Sequence, residues 1–223
     1  MNKLSKRLEV VATYVEDNSK VIDIGCDHGF LSIYLANKYK NIKIIASDVN
    51  ENALNSAISN IKEAKQTKKI DVRLGNGLDV VASPDEIDTV VIAGMGSNTI
   101  VGILKYDREK LSNVKNIIIQ SNTDLYFLRK NITSIGYYIE DETMVLDKDI
   151  IYTVIKFTKG KKRYSYKELY LGPILMNKND ELFKKKNNKD LETYKRILDN
   201  IEKGHYFYKR RIKKNIKIIE SIK

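Results

Sequence analysis

Five short runs rich in Val and Ile punctuate the first 120 residues, at 20–24, 43–47, 71–74, 88–93 and 116–120. Each ends in turn-forming or polar residues, and apolar positions recur between them at helical spacing. Phe30, Leu31, Ile33, Tyr34 and Leu35 fill the first interval, and Ala53, Leu54, Ala57, Ile58 and Ile61 the second. This alternation predicts a chain of βαβ units. Strands that are almost wholly apolar suit a parallel sheet covered on both faces, hence a doubly wound α/β domain. After Gln120 the pattern changes to one amphipathic helix over 125–135 and two strand-like runs, 137–146 and 150–158, joined by Asp147-Lys148-Asp149. That spacing predicts an antiparallel hairpin at the edge of a mostly parallel, seven-stranded sheet. A dinucleotide dehydrogenase domain would close instead with a sixth parallel strand.

Apolar strands stop at Gly160, which divides the chain into a domain over 1–160 and an extension over 161–223. In the extension Leu191, Tyr194, Leu198, Ile201, Tyr208, Ile212 and Ile219 follow heptad-like spacing, interrupted by Gly204 beside His205. Two amphipathic, coiled-coil-like helices folded back on each other are expected in preference to one rod, with Tyr208 packed between them.

Charge sharpens this division. Of the 40 Lys and Arg, 19 fall from Lys161 onward, with only 8 of the 29 Asp and Glu, so the whole formal charge of +11 lies on the extension. Clustered cations attract phosphates, which points to a polyanion as partner, although a solvated lysine-rich helix face has the same composition. Lys184, Lys185, Lys186, Lys209, Arg210, Arg211, Lys213 and Lys214 are the candidate phosphate contacts, with Tyr206 and Phe207 available to stack on bases. Apolar runs are too short to span a bilayer and the first residues lack an apolar signal core, so a cytoplasmic location is expected. Cys26 is the only cysteine, which excludes an internal disulfide and a Cys-based zinc site. No metal requirement and a monomer are expected.

The strand ends carry the candidate chemistry. Asp23-Ile24-Gly25-Cys26-Asp27-His28-Gly29 follows the first strand, where doubly wound sheets bind cofactors. It lacks the third position of a dinucleotide fingerprint, since Asp27 stands where glycine is required, and a carboxylate there would repel a pyrophosphate. Acidic residues suit a ligand bearing a sulfonium and an ammonium, such as S-adenosylmethionine. Asp48 ends the second strand, placed to accept both ribose hydroxyls of an adenosine. Gly75-Asn76-Gly77 offers Asn76 to an adenine edge, though a plain Asn-Gly turn reads the same. Ala93-Gly94-Met95-Gly96 leaves room for a flat base, and Gln120-Ser121-Asn122 supplies polar groups at the same edge. On spacing alone, Asp27 and His28 read equally well as caps of the next helix.

Leu4-Ser5-Lys6-Arg7-Leu8, Asp23 to Gly29, Gly75-Asn-Gly-Leu, Ile92-Ala-Gly-Met-Gly and Gln120-Ser-Asn, with the Leu171-Gly172-Pro173 junction, together resemble the TrmK family of bacterial tRNA (adenine(22)-N(1))-methyltransferases. The resemblance implies a Rossmann-like class I methyltransferase fold with a helical C-terminal extension, S-adenosylmethionine as cofactor, and N1 of adenine 22 in the D-arm of tRNA as acceptor. Cofactor contacts are then expected from Arg7, Asp23, Gly25, Cys26, Asp27, His28, Asp48, Val49, Asn76, Gly77, Ala93, Gly94 and Met95. Catalytic roles are expected for Asp27, His28, Met95 and Asn122. A small-molecule or protein acceptor, and a noncatalytic RNA-binding role, remain as alternatives.

Overall fold

The computed structural model describes residues 4–201 and 204–222. By the density of internal packing the chain divides into two units, residues 1–163 and 164–223.

In the first unit the order is α1 (Lys6–Thr13), β1 (Lys20–Ile24), α2 (Phe30–Lys38), β2 (Lys43–Asp48), α3 (Glu51–Glu63), β3 (Ile70–Leu74), β4 (Thr89–Met95), α4 (Ser97–Tyr106), β5 (Asn116–Ser121), α5 (Leu125–Ser134), β6 (Tyr137–Asp147) and β7 (Ile150–Lys159). All seven expected strands are present, each within two residues of the predicted ends. The strands form one sheet in the order β3-β2-β1-β4-β5-β7-β6. The first five pair in parallel; β7 runs antiparallel to both β5 and β6, forming the expected edge hairpin.

Strand composition explains the layering. Val91, Ile118 and Val154 point to one face and join α1, α2 and α3 through Val11, Leu35, Ala57 and Ile61 in a single apolar cluster. The alternate positions Val90, Ile92, Ile117 and Ile119 are equally buried, as are Ile100 and Leu104 of α4 and Leu128 and Ile132 of α5. A sheet covered on both faces requires this unbroken apolar sequence. α1 escapes the periodicity argument. It is short, and its N-cap is Ser5, whose hydroxyl accepts from the Leu8 N–H at 3.4 Å.

One charged pair lies inside this packing. Arg129 of α5 donates through Nε to Glu142 Oε1 of β6 at 2.6 Å, and both side chains are essentially inaccessible. Desolvation of two ions makes such a pair costly to break.

The second unit comprises α6 (Tyr166–Leu171), α7 (Pro173–Lys178), α8 (Glu181–Asn200) and α9 (Tyr206–Glu220). Ser165 and Glu168 form a reciprocal capping box at α6, and Asp180 caps α8. Phe183, Asn187 and Leu191 of α8 are buried, as are Ile212, Asn215 and Ile219 of α9. Two separate helices replace one rod, linked by an ion pair between Lys195 and Glu220 at 3.1 Å. Tyr208 departs from expectation: it is exposed, with the Arg211 guanidinium 5.5 Å from its ring. It lies in the first turn of α9, and the buried stripe of that helix runs from Ile212 through Asn215 to Ile219.

Replacing Arg129 alone by Ala is expected to lower unfolding free energy by about 3–5 kcal/mol, because the buried Glu142 carboxylate loses its ion-pair partner. Arg129→Met with Glu142→Leu is expected to recover most of that loss. Urea denaturation of the two variants checks both values.

Candidate active site

The order of the sheet reverses at β1, which has β2 on one side and β4 on the other. Chain segments leaving the carboxyl ends of these strands part at this point and open the crevice in which such sheets bind ligands.

The loop after β1 is shaped by backbone bonds to its neighbour. Gly25 and Cys26 donate their N–H groups to the Ser47 carbonyl at 2.8 and 2.9 Å, and Gly29 donates to the Cys26 carbonyl. Gly25 has φ +73°, and a Cβ there would lie 2.3 Å from the Met95 Cε. The left-handed backbone favours glycine there, and the Met95 methyl occupies the space a Cβ would take. Gly29, also left-handed, is the N-cap of α2 and has no side-chain cap. Asp27 and His28 therefore do not serve as caps.

Asp27 is itself left-handed at φ +52°, a conformation tolerated by Asp better than by most residues. Its N–H donates to Asp48 Oδ2 at 3.1 Å, which leaves its carboxylate projecting into solvent, 73% exposed and 3.5 Å from His28 Nε2. His28 is held from behind: Asn60 Nδ2 donates to its carbonyl at 2.9 Å. Asp48 receives a second backbone bond, from the Asn50 N–H to Oδ1 at 2.9 Å, and Val49 beside it is 66% exposed. An exposed aliphatic side chain next to an anchored carboxylate suits the flat ring and hydroxyls of a nucleoside.

Two of the expected cofactor residues turn inward. Asp23 is buried and accepts from the Ser32 hydroxyl at 2.7 Å. Burial pushes its carboxyl from the usual 3.8 up to about 6; the Ser32 bond opposes this rise and the Asp48 charge adds to it. Cys26 is buried, and desolvation, with the nearby Asp23 and Asp48, pushes its thiol well above the usual range. Both side chains shape the loop from within, so neither side chain is exposed toward the crevice. Asn76 is exposed on the turn after β3, which is tied to β2 by the Gly75 N–H on the Asp48 carbonyl at 3.0 Å. Gly77 is buried and left-handed, with a would-be Cβ 2.8 Å from Ile103.

At the fourth strand the register between β4 and β5 shifts, because Ala93 faces Gln120 while Met95 faces Ser121. Gly94 is the extra residue of this bulge, at φ +86°. Bulges beside functional sites re-aim the side chains next to them, here Met95. Asn122 secures the bulge, its N–H donating to the Met95 carbonyl at 3.0 Å and its Nδ2 to the Gly94 carbonyl at 2.7 Å. Arg7 reaches the same place from α1: its Nη1 lies 3.2 Å from a would-be Gly94 Cβ and donates to Gln120 Oε1, and its guanidinium is 5.4 Å from the Tyr152 ring. Gln120, whose polar side chain sequence alone would turn toward a ligand, is fully buried.

The basic residues of the extension do not act as one set. Lys209, Arg210, Lys213, Lys214 and Lys217, with Tyr206, line a groove of about 510 Å³ along one face of α9. Lys217 belongs to this face but was not singled out by composition; its four-residue offset from Lys213 is the signal that finds it. Lys214 Nζ also rests 3.3 Å from the centre of the Tyr166 ring. Lys184 and Lys185 are exposed on α8 outside the groove, and Lys186 is paired with Asp190 at 2.5 Å. Tyr206 and Phe207 are 68% and 83% exposed. No described helix is long and apolar enough to cross a membrane, and no metal-binding cluster of three His, Cys, Asp or Glu occurs among the described residues.

Residues 21–222 match the family model described as TrmK, tRNA (adenine(22)-N(1))-methyltransferase. The chain is 30% identical over 208 residues to the tRNA (adenine(22)-N(1))-methyltransferase of Bacillus subtilis, covering 91% of this chain and 87% of that protein. The structure of Mycoplasma capricolum TrmK in complex with S-adenosyl-homocysteine superposes with a TM-score of 0.84 at 32% identity, over 99% of each chain. A candidate tRNA (m1A22) methyltransferase of Streptococcus pneumoniae in complex with S-adenosyl-L-methionine gives 0.91 at 29% identity, again over 99% of each.

Because burial raises the Asp23 pKa on folding, its stability cost is absent below pH 3.8 and complete above about pH 6. Relative to Asp23→Asn, the protein is therefore expected to gain stability as pH falls from 7 to 4, by a difference on the order of 3 kcal/mol. Chemical denaturation of both proteins across that window checks the sign; parallel curves would show that Asp23 titrates normally.

Proposed function

The chain belongs to the TrmK family of tRNA (adenine(22)-N(1))-methyltransferases, enzymes dependent on S-adenosylmethionine, and we propose that its methyl transfer takes place in the crevice beside Asp27. The observation that carries this assignment is the Asp27 carboxylate, released toward solvent by a left-handed backbone that its own N–H anchors on Asp48.

The crevice fits the cofactor on its own geometry. Gly25, left-handed, turns the chain sharply at the end of β1, Asp48 sits at the end of β2 where ribose hydroxyls are bound in related sheets, and Val49 presents an apolar surface to a ring. When bound, S-adenosylmethionine supplies a methyl group activated by a positively charged sulfur. Asp48 and Asn76 are assigned to the adenosine end and the backbone of Gly25, Cys26 and Gly94 to the walls. Asp23 acts from behind, as a negative charge beneath the loop. Arg7, whose guanidinium keeps further donors beyond the one given to Gln120, is assigned to the cofactor carboxylate.

Adenine N1 already carries a lone pair, so no group need deprotonate it before attack. The N1–methyl bond forms as the sulfur–methyl bond breaks, and positive charge passes to the ring. Asp27 is positioned for that charge: its carboxylate stabilises a cationic ring and can take a proton from the exocyclic amine. His28 and Asn122 orient the base, and Met95 fills the wall against which it lies. Most of the rate then comes from placement.

For the extension, we assign the α9 groove to tRNA phosphates, with Tyr206 and Phe207 as stacking surfaces. A row of cations at helical spacing recognises backbone charge and overall shape, so selection of position 22 falls to RNA geometry.

Asp27→Asn is expected to lower kcat about a hundredfold while cofactor and tRNA affinities stay within about twofold. Transfer of labelled methyl to unmodified tRNA, with nucleoside mass spectrometry at position 22, reads the first; an equal loss of binding and turnover would remove Asp27 from catalysis. Replacing Lys209, Arg210 and Lys213 by Gln is expected to flatten the slope of log Kd for tRNA against log salt by about 2, with cofactor Kd unchanged. An unaltered slope would place the phosphate contacts elsewhere.

A further inference from the structure

The β4 bulge removes the Gly94 carbonyl from the regular ladder, and the group that receives it is the side chain of Asn122. Behind Asn122 stands a second amide. Gln120 Nε2 donates to Asn122 Oδ1 at 3.0 Å, and Gln120 Oε1 accepts from Arg7 Nη1. Three hydrogen bonds thus run in one direction, from a guanidinium through two amides to a backbone carbonyl.

The direction is fixed from both ends. A carbonyl can only accept, so the Asn122 nitrogen must face Gly94 and its oxygen must face Gln120. A guanidinium can only donate, so the Gln120 oxygen must face Arg7 and its nitrogen Asn122. Either amide turned by 180° would set like groups against each other at both of its contacts. Chains of this kind polarise one another in low dielectric, and Gln120, at 0% exposure, lies where that effect is strong. Asn122 by contrast is exposed at the mouth of the crevice. An exposed amide would normally sample both orientations; here the buried amide behind it selects one.

We propose that Gln120 is a positioning residue for methyl transfer, which with Arg7 holds Asn122 in the single amide orientation that both closes the Gly94 bulge and presents a fixed N–H to the target base. Gln120 touches neither cofactor nor base; it acts on the base through Asn122, and its bond from Arg7, the residue assigned to the cofactor carboxylate, is read separately by the cofactor Kd. This rests on the role assigned above to Asn122, and the test separates the two.

Gln120→Glu keeps the shape and the bond from Arg7, but an ionised carboxylate cannot donate to Asn122; Gln120→Met keeps the volume and makes neither bond. Each is made in the wild-type and Asn122→Ala backgrounds, and methylation of tRNA, cofactor Kd and the NMR signals of the Asn122 side-chain amide are recorded. Expected is a fall in kcat of about tenfold for either Gln120 variant, matching the loss of the part-buried bond to Asn122 that both variants share, with tRNA KM and cofactor Kd within about twofold. The Asn122 amide signals shift and their protons exchange faster. In the Asn122→Ala background the same substitutions cost less than about twofold more in kcat, because the orientation that Gln120 imposes on Asn122 is no longer there to lose. Additive losses, or unmoved Asn122 signals, overturn the proposal. If Asn122→Ala leaves kcat unchanged, the assigned role of Asn122 fails and positioning for catalysis falls with it, whereas the amide signals still report whether the hydrogen-bond chain exists. Should the buried carboxylate of Gln120→Glu prevent folding, Gln120→Met decides alone.

Discussion

The approach of the β4 loop to the loop after β1 is the constraint around which the catalytic unit is arranged. The Met95 methyl lies in the space that a Cβ on the left-handed Gly25 would take, and each loop is at that point held by its neighbour: the first by β2, through the Ser47 carbonyl, the second by Asn122, which follows β5. Parallel pairing of β1 with both β2 and β4 makes this convergence possible, since it brings the carboxyl ends of all four strands to one edge. Backbone that must be left-handed at Gly25, Asp27, Gly29 and Gly94 results from turning the chain sharply in so small a space. The side chains that do chemistry are carried on these turns and have little freedom to be elsewhere.

The strands were legible because burial on two faces demands apolar residues at every position, and Ile117-Ile118-Ile119 has no other use. The edge hairpin was legible from Asp147-Lys148-Asp149, two of which adopt positive φ. α1 was not, because its apolar residues are few. At the site, residue type located the loops correctly and assigned burial poorly. Asp23, Cys26 and Gln120 all stand at strand ends in sequences that read as ligand-facing, yet each points inward. A strand's last residue can face either way, and a single register shift decides it. The bulge at Gly94 exchanges the facing of Met95 and its neighbours, and nothing in Ala-Gly-Met-Gly specifies a bulge.

Two different electrostatic tasks are kept on two separate units. The crevice gathers carboxylates at Asp23, Asp27 and Asp48 within residues 1–160, whose formal charges cancel, as befits a cationic cofactor and a ring that gains positive charge. Residues 161–223 carry all of the formal net charge, the sign that the assigned tRNA contacts would need. Mixing them would set lysines against the cofactor or carboxylates against RNA phosphates. Heptad-like residues of the extension supply part of its core, with Leu191, Ile212 and Ile219 buried, but Tyr208 shows the limit of that spacing: in the first turn of α9, a residue read as interior is a surface partner of Arg211.

Methylation at a ring nitrogen that already holds a lone pair leaves an enzyme little acid–base work before attack, so precision of placement becomes the main lever on rate. Placement by exposed polar side chains is ordinarily loose, because amides flip and rotate at small cost. A hydrogen-bond chain whose two ends have opposite and unchangeable polarity resolves this without covalent constraint: neither Arg7 nor the Gly94 carbonyl can reverse its role, so neither amide between them can reverse its direction. The cost is one guanidinium held partly buried and one glutamine held wholly so, in positions where apolar residues would pack as well. Retention of polar groups there is explained by the orientation they impose on Asn122, which an apolar β5 terminus could not supply.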